Sequence, residues 1–201
     1  MRRLPCRRIA ALIAIMAALS CYGCGSKQAQ HYMLSPTPGL SPVSTDGRSI
    51  TVGVGRVVLP DYLMRPEIVT RTSASEVRLA EFNRWAEPLD ETMVRVLAEN
   101  LSDLLPEARV IGYPWSVATP FDYRITVNVK SFEQRPDGKV NLAAVWRILD
   151  GDGKVLDTGK ADLTSEVEGK GYEAIVYAMN TALTRLSEEL ASALSGSLPR
   201  P

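Results

Sequence analysis

The side chains best suited to a chemical reaction are those of two cysteines near the start of the chain, Cys21 and Cys24. They follow a segment with four arginines and an apolar run from Ile9 to Leu19. A basic stretch, a short apolar core and then small residues are typical of an export signal. The apolar run has 11 residues, which at about 1.5 Å each is too short to cross about 30 Å of hydrocarbon. A thiol in this position is suited to accept diacylglycerol, as in bacterial lipoproteins, so the sequence predicts an acylated N-terminal cysteine.

Two cysteines compete for this role. Cys24 has Gly23 before it and small residues behind it, which suits a cleavage site, whereas Cys21 has Ser20 before it. We predict a lipoprotein signal peptide over 1–23 with acylation of Cys24, and Cys21 remains the alternative. An ordinary secretory signal with incidental cysteines is less favoured, because a thiol directly after an apolar core has little other use.

Acylation would anchor the protein to a membrane. Each buried methylene contributes about 0.8 kcal/mol, so one acyl chain holds a protein marginally and two or more hold it stably. No cofactor is expected beyond the covalent N-acyl and S-diacylglycerol groups. In Gram-negative bacteria an aspartate after the acylated cysteine retains a lipoprotein in the inner membrane, but here Gly25 follows Cys24 and Tyr22 follows Cys21. Either cysteine therefore predicts a location at the periplasmic face of the outer membrane.

Charge and histidine content exclude several kinds of site. Removal of the signal takes four arginines and no acid, which leaves 19 basic and 23 acidic side chains, a net charge of about −4. A nucleic-acid footprint is basic, so nucleic acid is not an expected partner. The only histidine is His31, which excludes a catalytic triad and a multi-histidine metal site in the predicted domain. Asp150 and Asp152 lie in a turn motif without the closing glutamate of a calcium loop. We predict a protein that is not an enzyme and has no catalytic, cofactor-binding or metal-ligating residues.

The predicted elements form one domain behind a linker. Residues 24–48 are rich in Ser, Pro, Gly and Thr and predict a flexible tether, apart from a β-prone patch at 31–34 that could join a sheet edge. Apolar periodicity then predicts a single domain over 49–197. Its strands are expected over 49–59, 67–72, 75–82, 108–112, 121–132, 140–149 and 154–166, and its helices over 89–105 and 171–194. Turn signals between the later strands predict hairpins, so we expect an α+β, two-layer domain with a mostly antiparallel sheet covered by two main helices.

Two predicted loops carry more apolar side chains than an exposed connection needs. The first, at 59–66, reads LPDYLMRP, and the second, at 80–88, reads AEFNRWAEP. Such residues either cap the ends of the core or form a recognition surface. For Phe82 and Trp85 both interpretations stay open. A recognition surface is favoured for three residues of the first loop, Tyr62, Leu63 and Met64.

These loops also carry a resemblance to a known family. A YxL motif at 32–34, the sequence LPDYLMRPEIVTR at 59–71, RLAEFNRWAEPL at 78–89 and LAENL at 97–101 follow one another in this order. The series resembles the ABC-type transport auxiliary lipoproteins, the PqiC-like subunits of membrane-integrity-associated transporters. The similarity covers essentially the whole mature chain.

The resemblance implies an outer-membrane-anchored, non-enzymatic docking subunit of an ABC/MCE-type intermembrane lipid transport system that maintains envelope integrity. The implied partners are a periplasmic MCE-domain protein, the outer membrane through the lipid anchor, and further copies of the chain in a homo-oligomer. The residues expected to contact a partner or another subunit are Leu59, Pro60, Tyr62, Leu63, Arg65, Pro66, Trp85, Glu87 and Pro88. The alternative is a stand-alone lipid-binding or envelope-structural lipoprotein.

Overall fold

The computed structural model describes residues 28–116 and 119–199. Within these ranges the chain forms one eight-stranded sheet and two α-helices, which confirms the predicted α+β class. The strands are β1 (Gln30–Tyr32), β2 (Thr51–Val58), β3 (Glu67–Arg71), β4 (Val77–Trp85), β5 (Arg109–Gly112), β6 (Tyr123–Gln134), β7 (Val140–Asp150) and β8 (Val155–Ser165). The helices are α1 (Leu89–Leu104) and α2 (Gly171–Ser197), and a 3-10 turn over Asp61–Leu63 lies between β2 and β3. The predicted acylation sites Cys21 and Cys24 lie outside the described residues.

Both helices are present where the sequence predicts them. α1 follows Pro88, whose φ of −54° suits a helix start, and Asp90 and Glu91 lie in its first turn at the positive end of the helix dipole. It ends at Leu104, the C-cap residue Leu105 has a φ of −125°, and Pro106 cannot continue the helix. Neither helix in the described part of the chain is long and apolar enough to cross a membrane.

The sheet combines long antiparallel hairpins with a parallel centre. β6, β7 and β8 form consecutive antiparallel pairs, and β3 and β4 form another, as the turn signals predict. β2, however, runs parallel to both of its neighbours, β5 and β6. The reason is connectivity, because the chain passes through α1 between β2 and these strands, and such a crossover returns it in the same direction. Side-chain alternation indicates a strand but not its direction.

The two helices cover one face of the sheet. α1 packs on β2 and β5, α2 packs on β6, β7 and β8, and the helices contact each other. Their apolar stripes are fully buried at Leu97, Leu101 and Leu186. On β7 the ring of Trp146 lies against Gly159 of β8, where a Cβ atom would collide with the ring, so this close approach requires glycine.

The segment between β1 and β2, residues 33–50, lies along the helices and is called the strap below. It differs from the flexible tether that its composition predicts. Leu34 has no exposed surface, and the N–H of Val43 donates to the C=O of Leu104 at 2.7 Å. The hydroxyl of Thr45 donates to Glu107 Oε2 at 2.6 Å. The described part of the predicted tether is thus packed and is not a spacer, because a few apolar side chains find burial against the domain.

The β-prone patch ahead of the strap does join the sheet edge, as predicted. β1 pairs in parallel with β4, with Gln30 opposite Asn83 and Tyr32 opposite Trp85. The ring of Tyr32 also lies 6.5 Å from that of Tyr172 at the start of α2. The domain therefore includes β1 and does not start near Ser49.

One edge of β6 serves two partners, and this arrangement positions the first apolar loop. The first half of β6 pairs with β2 as far as Val58 opposite Asn128, and its last residue, Gln134, pairs with Thr70 of β3. Between these two points the chain leaves the sheet. The loop at 59–66 is the result.

Candidate partner-binding site

The two apolar segments singled out by the sequence meet in the structure. The first, 59–66, is a loop as predicted, but 80–85 of the second belong to β4, and only 86–88 form a connection to α1. The backbone N–H of Trp85 donates to the C=O of Pro66 at 2.7 Å. Beside this bond lies a groove of about 350 Å³, which we call the loop groove. Its lining consists of Met64, Arg65, Pro66, Trp85, Ala86, Glu87, Pro88, Leu89 and Asp90. Five of the residues predicted to contact a partner are among them.

The 3-10 turn at Asp61–Leu63 decides which side chains of the first loop reach the surface. Pro60 precedes it with a φ of −63°, and the N–H of Leu63 donates to the C=O of Pro60 at 2.9 Å. The turn directs Leu63 into the core and leaves Met64 59% exposed. A large apolar side chain with this exposure at the mouth of a groove is a candidate contact for a partner.

Tyr62 points the other way and joins a buried ion pair. Its hydroxyl donates to Glu133 Oε2 at 3.0 Å, and Arg71 Nε donates to Glu133 Oε1 at 2.8 Å. Glu133 is only 1% exposed. Burial raises the pKa of Tyr62 to about 12, and the Glu133 carboxylate adds to this shift. The hydrogen bond to that carboxylate also raises the pKa of Arg71. We call these three residues the ion-pair network, and they fasten the loop to β3 and β6.

Three of the predicted contact residues prove to be core residues. Leu59, Leu63 and Trp85 are buried, because they cap the end of the core. For Trp85 this decides between the two interpretations that the sequence leaves open. Phe82, Pro60 and Tyr62 are half-buried. The accessible part of the loop groove comes from Met64, Pro66, Glu87 and Pro88, which are exposed, and from Arg65, which is partly exposed.

Charged side chains of both signs line the loop groove beside its apolar residues. The Nε atom of Arg65 is buried and makes no hydrogen bond within the described residues. Glu87 Oε2 accepts a hydrogen bond from Thr92 Oγ1 at 3.3 Å and lies 3.5 Å from Arg95 Nη2. Across 28–116 and 119–199, no group of three His, Cys, Asp or Glu side chains is placed to hold a metal ion. The loop groove offers apolar area with charged hydrogen-bonding groups, which suits noncovalent binding of a partner segment.

The sequence analysis missed a second groove that adjoins the first and shares Glu87 and Asp90 with it. Its volume is about 570 Å³. Arg56 and Tyr113 form another part of its lining: Arg56 Nη2 donates to the Tyr113 hydroxyl at 3.2 Å, and the guanidinium lies 5.1 Å from the ring centroid. The hydrogen bond to Tyr113 raises the pKa of Arg56. The aromatic-proline-aromatic run at 113–115, directly after a short strand, is the sequence signal that could have revealed this groove.

Comparisons with known proteins agree with this architecture. The family model described as ABC-type transport auxiliary lipoprotein component matches residues 32–191. Intermembrane transport lipoprotein PqiC of Escherichia coli (strain K12) is 31% identical over 147 residues, which cover 72% of this chain and 76% of that protein. The protein of the same name from Shigella flexneri gives the same values. The matched range includes the strap and both apolar loops.

Two solved structures share the fold. An uncharacterized protein with 25% sequence identity superposes with a TM-score of 0.71 and covers 84% of this chain and 99% of its own. A protein from Xanthomonas campestris, at 17% identity, gives a TM-score of 0.65 and covers 84% and 96% of the two chains. At this second level of identity the likeness concerns the fold alone.

Proposed function

The chain belongs to the family of ABC-type transport auxiliary lipoprotein components, and on this basis we propose that it is a homo-oligomeric accessory subunit of an intermembrane lipid transport system, anchored in the outer membrane and facing the periplasm. Two observations support this function. The relative PqiC is named an intermembrane transport lipoprotein, and the cysteines after the apolar run fit the predicted acylation site. In this proposal the protein positions partners, catalyses no reaction and contributes to envelope integrity.

The packed strap changes what a lipid anchor at Cys24 does. Six residue steps separate Cys24 from Gln30, the first residue of β1. Fully extended they span about 20 Å, whereas a free tether through residue 48 would span about 80 Å. The domain is then held at the membrane surface and does not reach across the periplasm, so a partner from the inner membrane has to extend to it.

The loop groove is the surface that we propose for docking this partner, a periplasmic MCE-domain protein. The observation that carries the proposal is the backbone hydrogen bond from Trp85 to Pro66, which joins two loops distant in sequence into one groove with Met64 exposed beside it. The ion-pair network and the buried Trp85 side chain hold both loops in place, so binding does not require them to become ordered. A methionine adapts to partner side chains of different shape, and Arg65 and Glu87 supply charge specificity at the rim.

Met64→Glu tests this assignment. The tagged full-length chain is expressed in cells that contain the transport system, extracted in mild detergent, and the co-purifying MCE-domain protein is quantified. The wild type is expected to recover the partner, and Met64→Glu to recover about tenfold less, because docking would desolvate the new carboxylate. Tyr177→Glu is the matched control, since Tyr177 is 68% exposed on α2 and does not line the loop groove.

Two results would contradict the proposal. Full recovery of the partner with Met64→Glu would show that docking takes place elsewhere. A wild type that recovers no MCE-domain protein but carries stoichiometric phospholipid would favour the stand-alone lipid-binding lipoprotein.

A further inference from the structure

The face of the sheet opposite the helices carries a cluster of basic side chains. Arg124 and Lys130 lie on β6, Arg147 on β7 and Lys160 on β8, each alternating with residues that are buried toward the helices. The strand register brings them together: Arg147 lies between Thr126 and Thr158, and Lys160 pairs with Val145. We call Arg124, Lys130, Arg147 and Lys160 the basic sheet face.

These basic side chains have little compensation within the protein. Lys130, Arg147 and Lys160 take part in no ion pair within the residues that the structure describes. The Nε atom of Arg124 is buried and makes no hydrogen bond there. Asp162, two residues after Lys160 on β8, accepts a hydrogen bond from Asn141 Nδ2 at 2.6 Å.

A groove of about 560 Å³ crosses this face, and its form suits a partner that is both acidic and partly apolar. Lys130, Arg147 and Arg56 are among its lining residues, and no acidic residue is. Between the charges lie Val145 and Val58, and Val58 is 49% exposed. Cations around exposed aliphatic side chains complement a surface where carboxylates surround short side chains.

The outer side of α1 has the opposite charge. Its exposed and partly exposed residues include one base, Arg95, and five acids in α1 or directly before it. These acids, called the acidic helix face below, are Glu87, Asp90, Glu91, Glu99 and Asp103. Because α1 packs on the opposite side of the sheet, on β2 and β5, the two charged faces point away from each other. No contact within one copy can bring them together.

We propose that the basic sheet face of one copy docks on the acidic helix face of a second copy, head to tail. This contact deepens the proposed function and rests on it, since that function includes a homo-oligomer. An anionic membrane would compensate the basic sheet face alone, whereas a second copy compensates both faces with the same contact. Because the two surfaces differ, an open assembly always has one free basic sheet face at one end and one free acidic helix face at the other. The assembly has no free face only when it closes into a ring.

The test reverses the charge of each face separately and then of both together. The sheet variant is Lys130→Glu, Arg147→Glu and Lys160→Glu, and the helix variant is Glu91→Lys, Glu99→Lys and Asp103→Lys. Self-association of the lipidated full-length chain in detergent is measured by sedimentation at about 50 mM and about 500 mM salt. The wild type associates at low salt and about tenfold more weakly at high salt, and each variant alone loses association by about tenfold or more.

Restored self-association distinguishes a second copy from any other acidic partner. A chain with both faces reversed associates again, and so does an equimolar mixture of the two variants, because every contact then joins opposite charges. As a control, Arg135→Glu, Lys154→Glu and Lys170→Glu reverse three exposed charges in turns, away from both faces, and leave association unchanged. Thermal unfolding verifies that each variant is folded.

Three outcomes overturn the proposal: a wild type that is monomeric at all concentrations, variants that associate like the wild type, or a folded chain with both faces reversed that stays monomeric. Wild-type binding to phosphatidylglycerol vesicles that is lost in the sheet variant, with self-association unchanged, assigns this face to an anionic membrane and also overturns it. Recovery of the MCE-domain protein is measured separately, so a monomeric chain that still recovers it overturns the contact between copies and leaves the docking of the partner at the loop groove standing.

Discussion

Two irregular segments of this protein are held on the core by buried polar clusters of opposite character. The ion-pair network of Tyr62, Arg71 and Glu133 fastens the loop at 59–66 with a full charge pair. The strap contacts the Glu107 carboxylate near its end, but the buried cluster that fastens its middle consists of neutral groups: the N–H of Thr37 donates to Asn100 Oδ1 at 3.0 Å, and Asn100 Nδ2 donates to Ser187 Oγ at 3.1 Å. The hydroxyls of Thr37 and Thr184 lie 2.6 Å apart.

The difference lies in what remains when one partner is removed. A buried charge that loses its partner costs about 3–5 kcal/mol, because it stays desolvated without compensation. A buried neutral group that loses its partner costs about 1–3 kcal/mol. The loop at 59–66 is thus held by the cluster that costs more free energy when one partner is lost. The ion-pair network depends on charge and pH, whereas the neutral cluster of the strap depends on shape and hydrogen bonding.

Arg71→Met is expected to have the largest effect. It leaves the Glu133 carboxylate buried with only neutral hydrogen-bond donors, and we expect a loss of about 3 kcal/mol in the free energy of unfolding, measured by urea denaturation. The matched control is Arg135→Met, which removes an exposed arginine 4.0 Å from Asp137 and should change stability by less than about 0.5 kcal/mol. Equal losses in the two variants would show that the ion pair of Arg71 with Glu133 contributes no more than an exposed ion pair does.

Asn100→Ala should have the next largest effect and act on the strap. It removes hydrogen bonds to Thr37 and Ser187, and we expect a loss of about 2 kcal/mol. Hydrogen exchange should become faster in the strap amides and remain unchanged in the loop at 59–66. Ser102→Ala, at an exposed site on the same helix, serves as the control and should stay within about 0.5 kcal/mol of the wild type. Faster exchange in both segments would mean that they are not held independently.

Tyr62→Phe should have the smallest effect at neutral pH, about 1 kcal/mol for one lost hydrogen bond. The diagnostic effect of this substitution is on the pH dependence of stability at alkaline pH. The folded-state pKa of Tyr62, about 12, lies above its ordinary value of 10.0, so the stability that Tyr62 contributes is fully present below pH 10 and is lost as the pH rises through 12. Denaturation midpoints between about pH 9 and 12 should fall less steeply for Tyr62→Phe than for the wild type. Parallel pH profiles would show that the hydroxyl titrates like an exposed tyrosine.

Local sequence patterns predicted where the strands and helices lie, but not which elements pair or pack with one another. Every predicted strand and helix is present with its ends shifted by three residues or fewer, because apolar periodicity depends on neighbours in the sequence. The parallel pairing of β2 was not predicted, since it depends on a crossover through α1. The strap was misread because Pro, Gly and Ser dominate its composition, while its burial depends on a few side chains such as Leu34.

In the candidate site, too, local sequence patterns predicted the segments and tertiary packing decided the contacts. Apolar residues in the two loops drew attention to the correct segments, but the sequence could not show that Leu63 turns inward and Met64 outward, which the 3-10 turn decides. Nor could it reveal Glu133 as the support of the first loop, since the predicted strand ends at 132 and a lone glutamate directly after it looks like any solvent-facing position. Its partner Arg71 is 62 residues away in the chain.

The sequence by itself determined the type of each element and the presence of two unusually apolar segments, and it predicts the export signal with its cysteines, because these properties depend on residues a few positions apart. Only the tertiary structure decided which of these residues are core, that the two segments form one groove, and that the sheet face opposite the helices is basic while the outer side of α1 is acidic. Those features depend on strand order and helix placement, which bring together residues that are far apart in the chain and bury some charges while exposing others.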